Sequence, residues 1–181
     1  MLSFTESGMT FGPYAEADCF CIEKCATYVA IQDRVKMAEF LLIREKPEEP
    51  LCVWIVEAKQ SSPQPKTQPE FDGFISDIKD KLTNGLSLCF ASVLKRHPKT
   101  LAELPDRFKN LDLSTVGFRL VLIINGHQKA WLPPLQDAVR RTLHATEKTW
   151  ALDPNAVVVL NHEGAKPVSY THLTLPTKRI V

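Results

Sequence analysis

Residues 52–65 read CVWIVEAKQSSPQP, and the fold turns on how this stretch ends. Cys52 to Val56 form an apolar run rich in β-branched and aromatic side chains, suited to a buried strand. The run closes on Glu57, Ala58 and Lys59, and a polar segment punctuated by Pro63 and Pro65 follows. Side chains two apart on a strand share a face, so Glu57 and Lys59 project together, in line with Val53 and Ile55 deeper in the core. A carboxylate at the rim of a dry interior needs a cation, and either Lys59 or a bound metal would serve. One carboxylate is a weak site for a hard metal, so a second acid is expected nearby.

Upstream, KMAEFLLI (36–43) supplies it. Glu39 stands at the start of an apolar strand, and a hairpin through REKPEEP (44–50) brings that start beside the end of the next strand. Glu39 and Glu57 are then neighbours. DCFCIEKCATYVAI (18–31) and RVKMAEFLLI (34–43) read as strands preceding EPLCVWIVEAK (49–59), although Ile22, Cys25, Ala26 and Val29 in the first also fit a helical face.

Downstream, SSPQPKTQPE (61–70) is a loop long enough to act as a flap. Apolar residues at 71, 74, 75, 78, 82, 86, 89, 90, 93 and 94 then keep the period of an amphipathic helix, bounded by Pro69 and Pro98. A proline-marked connection with one short helix leads to GFRLVLIING (117–126), a continuous apolar run that suits a central strand covered on both faces. PPLQDAVRRTLHATEKTW (133–150) reads as a second helix, and NAVVVLN (155–161) as a further strand. The order of strands, helix, strand, helix, strand predicts an α/β sandwich. Its sheet should be mixed, antiparallel in its first half and parallel through helical crossovers in its second.

The chain has 181 residues, enough for one domain with a substantial core, with 44% hydrophobic and 24% charged residues, an ordinary soluble balance. No apolar run approaches the roughly 20 residues of a membrane span. The N-terminus lacks a basic segment followed by an apolar one, so the expected compartment is the cytoplasm. The five cysteines are odd in number and read as buried thiols; Cys19, Cys21 and Cys25 would suit a soft metal, but no fourth ligand lies at a zinc spacing.

VSYTHLTLPT (168–177), continued by KRIV, resembles one reading frame of the transposon-end adapter used in preparing sequencing libraries. A single domain over 1–167, with its natural C-terminus missing and an artefactual tail over 168–181, is therefore expected. Without Lys178 and Arg179 the basic residues fall from 22 to 20 against 21 acidic ones, moving the formal charge from +1 to −1. Nucleic-acid binding would have to come from local patches such as Arg140–Arg141 or LKRHPK (94–99).

An acid before one apolar strand and E-x-K closing the next resembles the PD-(D/E)XK nuclease superfamily, with Ala38-Glu39 for the usual Pro-Asp and Glu57-Ala58-Lys59 as the E-x-K. The chain is also similar to a group of uncharacterised bacterial proteins with V-E-F, V-E-A-K-S-S-S-P and V-I-N-G-H-x-x-x-W-L-P-P segments. Here these stand as MAEFLLI, WIVEAKQSSPQP and LIINGHQKAWLPP. The superfamily resemblance implies a restriction-endonuclease-like mixed β-sheet core flanked by helices, and a hydrolase that cleaves DNA or RNA phosphodiesters. It implies Mg²⁺ or Mn²⁺ on Glu39, Glu57 and the Ala58 carbonyl, with Lys59 orienting the attacking water and steadying the phosphate. Gln60 would position substrate or water, and Glu23 is a candidate additional acid. His127, in the turn after the central strand, is a candidate substrate contact. Trp131 and Pro133-Pro134 are expected to pack the start of the second helix. The alternative is a catalytically inactive nuclease-like binding or regulatory module.

Overall fold

In the computed structural model, which describes residues 1–169, the chain opens on a hairpin of β1 (Leu2–Glu6) and β2 (Met9–Tyr14). Ser7 and Gly8 form its turn with φ of 51° and 73°, the left-handed pair that a two-residue hairpin requires. β3 (Cys19–Phe20) follows and is much shorter than the strand expected over 18–31. A 3-10 turn at Ile22–Lys24 and helix α1 (Ala26–Ile31) take up the rest, so the helical reading of that segment holds.

β4 spans Phe40–Arg44 and β5 spans Cys52–Lys59. β4 starts later than the expected Arg34: ahead of it only Glu39 bonds to the neighbouring backbone, donating to Val56 and accepting from Glu23, and the residues before it join no ladder. α2 (Glu70–Val93) matches the periodic segment, with Ile75, Ile78, Leu82, Leu86 and Cys89 buried on one side. The connection holds two short helices, α3 (Pro98–Glu103) and α4 (Asp106–Lys109), where one was expected. β6 (Gly117–Ile124), α5 (Leu132–Thr149), β7 (Val157–Asn161) and α6 (His162–Ser169) complete the order.

The main sheet runs β3-β4-β5-β6-β7, antiparallel across its first two pairings and parallel across the last two, as expected for an α/β fold with a mixed sheet. Strand alternation divides its side chains into two cores. Leu41, Ile43, Val53, Ile55, Leu120 and Leu122 face α2 and α5. Phe40, Leu42, Trp54, Val56, Val121 and Ile123 face the N-terminal hairpin, whose Phe4 and Phe11 meet Phe40 at ring distances of 5.0 and 5.2 Å. Glu39, Glu57 and Lys59 fall on the α2 side. No helix among the described residues is long and apolar enough to cross a membrane. Apart from Val168 and Ser169, the adapter-like tail lies outside the described residues.

Candidate functional site

The hairpin register fixes the two acids. Phe40 pairs with Val56, and the Glu39 amide just ahead of β4 donates to the Val56 carbonyl at 2.9 Å, so Glu39 sits at the end of β5 that carries Glu57. The Glu57 side chain is wholly buried. Lys59 Nζ, two residues on along the same face, lies 3.2 Å from Glu57 Oε1 and 3.2 Å from Asp77 Oδ2 on α2. Asp77 also receives Lys36 at 3.1 Å. Burial opposes ionisation of Asp77, but hydrogen bonds from Lys36 and Lys59 outweigh it and hold its carboxyl below the ordinary value.

Lys81, one turn beyond Asp77 on α2, bridges the acids: its Nζ is 3.0 Å from Glu57 Oε1 and 3.6 Å from Glu39 Oε1. Burial disfavours the Lys81 charge, yet the Glu57 and Glu39 carboxylates overcome it and push its pKa up. Gly85, a turn further along, makes this approach possible. A Cβ there would lie 2.8 Å from Ile55 Cγ2 and 2.9 Å from Ala38 Cβ, so any side chain would lift α2 off β5.

The electrostatics are those of crowded acids in a poorly solvated corner. Burial pushes Glu57 up to about 7 despite Lys81 and Lys59. Glu39 rises to about 9, through burial first, then a hydrogen bond shared with the Glu23 carboxyl and the Glu57 charge. Glu23 sits on the 3-10 turn, where its amide donates to the Glu39 carbonyl at 3.5 Å. The Tyr28 phenol is near enough that burial and then Glu23 raise its pKa.

Glu23, Glu39, Glu57 and Lys59 are thus brought together. The Ala58 carbonyl accepts the Ser7 hydroxyl at 3.0 Å, so one of its lone pairs is already engaged by the N-terminal hairpin. None of the described contacts ties Gln60 or His127 to the carboxylates. Gln60 is exposed just past β5. His127 Nε2 lies 3.4 Å from Ser62 Oγ of the proline loop, and burial lowers its pKa. Together with Phe71 and Leu135, Ser62 and His127 line a cavity of about 350 Å³ whose wall includes none of the carboxylates. Trp131, expected to pack the helix start, stands just before α5 and lines this cavity with Pro134 and Leu135, 45% exposed and edge-to-face with His127 at 5.3 Å. The thiol cluster divides: Cys19 enters the hairpin-side core and Cys25 the helix-side core, so no common ligand position exists between them.

Lys81 and Asp77 are the residues that sequence reasoning missed. Both follow the helical period of the buried positions, Lys81 lying three residues after Ile78 and four before Gly85, which places a charge inside the apolar arc.

The donor set suits a hard divalent cation, since it consists of carboxylate oxygens. Both Glu57 oxygens are buried and accept no well-aligned hydrogen bond, although two ammoniums stand within ion-pair distance. Burial, the hydrogen bond with Glu23 and the Glu57 charge favour the protonated form of Glu39, and Lys81 at 3.6 Å only partly opposes them. Among the described residues no three such side chains form a ready-made metal cage. Lys81 bridges the acids at the point a cation would take. No family model, curated protein or solved structure matches the chain.

Proposed function

We propose that this chain is a divalent-metal-dependent nuclease that hydrolyses phosphodiesters of DNA or RNA in the cytoplasm. The observation that carries the reading is Glu57, wholly buried with both oxygens lacking an aligned hydrogen bond, joined to Glu39 through Lys81 and with Lys59 alongside. Glu39 and Glu57 would hold Mg²⁺ or Mn²⁺, with Glu23 behind Glu39 and the free lone pair of the Ala58 carbonyl beside them. When bound, the metal supplies polarisation of the phosphate and a water of lowered pKa. Lys59 Nζ sits 3.2 Å from both Glu57 Oε1 and Asp77 Oδ2, an ion-paired position from which its ammonium would reach the attacking water or a phosphate oxygen. Asp77, itself held by Lys36, fixes the direction of that ammonium. Lys81 pairs with both acids and would offset their charge when no metal is bound.

A second reading, a nuclease-like binding module without catalysis, is favoured by the ion pairs themselves. Lys59 is shared between Glu57 and Asp77, and Lys81 between Glu57 and Glu39, a closed arrangement that needs no metal. The two readings separate on cleavage of supercoiled DNA, single-stranded DNA and RNA in Mg²⁺ or Mn²⁺. Cleavage lost in both Glu57→Ala and Lys59→Ala supports the nuclease, whereas activity that survives both substitutions removes it.

A further inference from the structure

At the opposite end of β5, on the opposite face of the sheet, two arginines flank one indole. The register places Trp54 opposite Leu42 of β4 and Arg119 of β6, and Arg44 follows Leu42 on the same face. Arg44 Cζ lies 5.4 Å from the Trp54 ring centroid and Arg119 Cζ 6.0 Å. Arg44 is only 6% exposed, and its Nε is buried without an acceptor. Among the described interactions neither guanidinium donates a hydrogen bond or pairs with a carboxylate.

This is an unusual place for a guanidinium. Burying a cation costs more than stacking on an aromatic ring returns. Buried charges are as a rule paired, and among the described residues the ring beside Arg44 is shared with a second cation, Arg119, while Tyr14 acts on Arg44 electrostatically. The nearby acids are committed elsewhere: Glu49 takes Lys46 at 3.2 Å, and Asp153 accepts the Asn155 amide at 2.7 Å. Burial lowers the Arg44 pKa, yet a guanidinium remains charged at any physiological pH.

Both arginines line a cavity of about 500 Å³, within the range of small-molecule sites. Its wall includes Phe90 and Trp150, whose rings stack at 4.3 Å, and Trp150 is 46% exposed. Guanidinium forks match phosphate oxygens in pairs, and exposed aromatic faces take planar rings. We propose that Arg44, Trp54 and Arg119 form a binding site for a phosphorylated small molecule of the nucleotide class, its phosphate between the guanidiniums and its ring along the aromatic wall. The site is separate from the carboxylates and does not depend on the nuclease reading.

Calorimetric titration of the full chain in EDTA with AMP, inorganic phosphate, adenosine and a single-stranded 12-mer tests it. The expected result is one AMP per chain, adenosine weaker by about 10-fold or more, and Arg119→Gln and Arg44→Lys each weakening AMP by about 10-fold or more. Arg119 is part-exposed, so its variant keeps the fold, which circular dichroism verifies. AMP binding weaker than about 1 mM, or equal in wild type and both variants, overturns the site. So does adenosine binding as tightly as AMP. If only the 12-mer binds and Arg119→Gln weakens it, the ligand is a nucleic-acid backbone and the small-molecule assignment falls.

Discussion

Replacing Lys81 by Met keeps most of the side-chain volume and removes the ammonium that bridges Glu57 and Glu39 at 3.0 and 3.6 Å. Deleting one partner of a buried ion pair costs about 3–5 kcal/mol, because the other charge is left uncompensated. Lys59 still stands 3.2 Å from Glu57, which puts the expected loss near the lower end. The loss depends on pH. Glu57 and Glu39 already have folded-state values of about 7 and 9, above the 4.5 of an ordinary Glu. Groups raised in this way stabilise the fold fully below their unfolded value and lose that contribution as pH rises through the folded one. Near pH 5.5 both acids are protonated in the variant and little is lost. Near pH 8.5 Glu57 must ionise without its nearest cation or hold a proton against the solvent, and a loss of about 3 kcal/mol is expected. For a chain of this size that corresponds to a fall in Tm of roughly 6–12 °C. Thermal melts at both pH values, with Lys81→Met/Glu57→Gln as the compensating double variant, measure it. Equal losses at the two pH values, or no rescue by Glu57→Gln, would show that Lys81 is not the counter-ion of the buried acid.

Glu39→Gln removes the most strongly raised carboxyl, so between about pH 5 and pH 9 it flattens a decline in stability that has a limiting slope of about 1.4 kcal/mol per pH unit; urea unfolding across that range reads it. Gly85→Ala forces a methyl against Ile55 and Ala38 and should cost about 1–3 kcal/mol, with α2 displaced from β5 and any metal-dependent activity reduced. Trp131→Ala should leave Tm nearly unchanged, since Trp131 is 45% exposed, but weaken a labelled single-stranded oligonucleotide by about 5- to 150-fold in fluorescence anisotropy if a base stacks there.

Most of the frame was legible because its signals are local and periodic. The buried period of α2, the continuous apolar run of β6 and the hairpin length between β4 and β5 each reflect one-dimensional spacing, and the last was enough to set Glu39 against Glu57. The N-terminal hairpin went unread although it carries the proper cues: alternating Leu2 and Phe4, alternating Met9 and Phe11, and Ser7-Gly8 between them. Its absence from the expected fold hid both the cover on the second sheet face and the Ser7 contact with Ala58. Lys81 and Asp77 were missed for a different reason. A charged residue on an amphipathic helix reads as solvated, and only the close approach allowed at Gly85 turns that edge of α2 toward the acids. The first strand shrank to Cys19–Phe20 because Ile22, Cys25 and Thr27 bury better from a 3-10 turn and a helix than from a longer strand.

The proposed function requires Glu39, Glu57 and Glu23 to accept a divalent cation where Lys81 now pairs with Glu39 and Glu57. Titrating Mn²⁺ calorimetrically at pH 7.5, in buffers of different ionisation enthalpy, counts the protons released per ion bound. With Glu39 held near 9 and Glu57 near 7, a cation entering this site should release slightly more than about one proton per ion, and Glu39→Gln should cut that release to roughly a quarter of a proton. No binding, or binding with no proton release and no change in Glu39→Gln, would contradict a metal centre at these carboxylates.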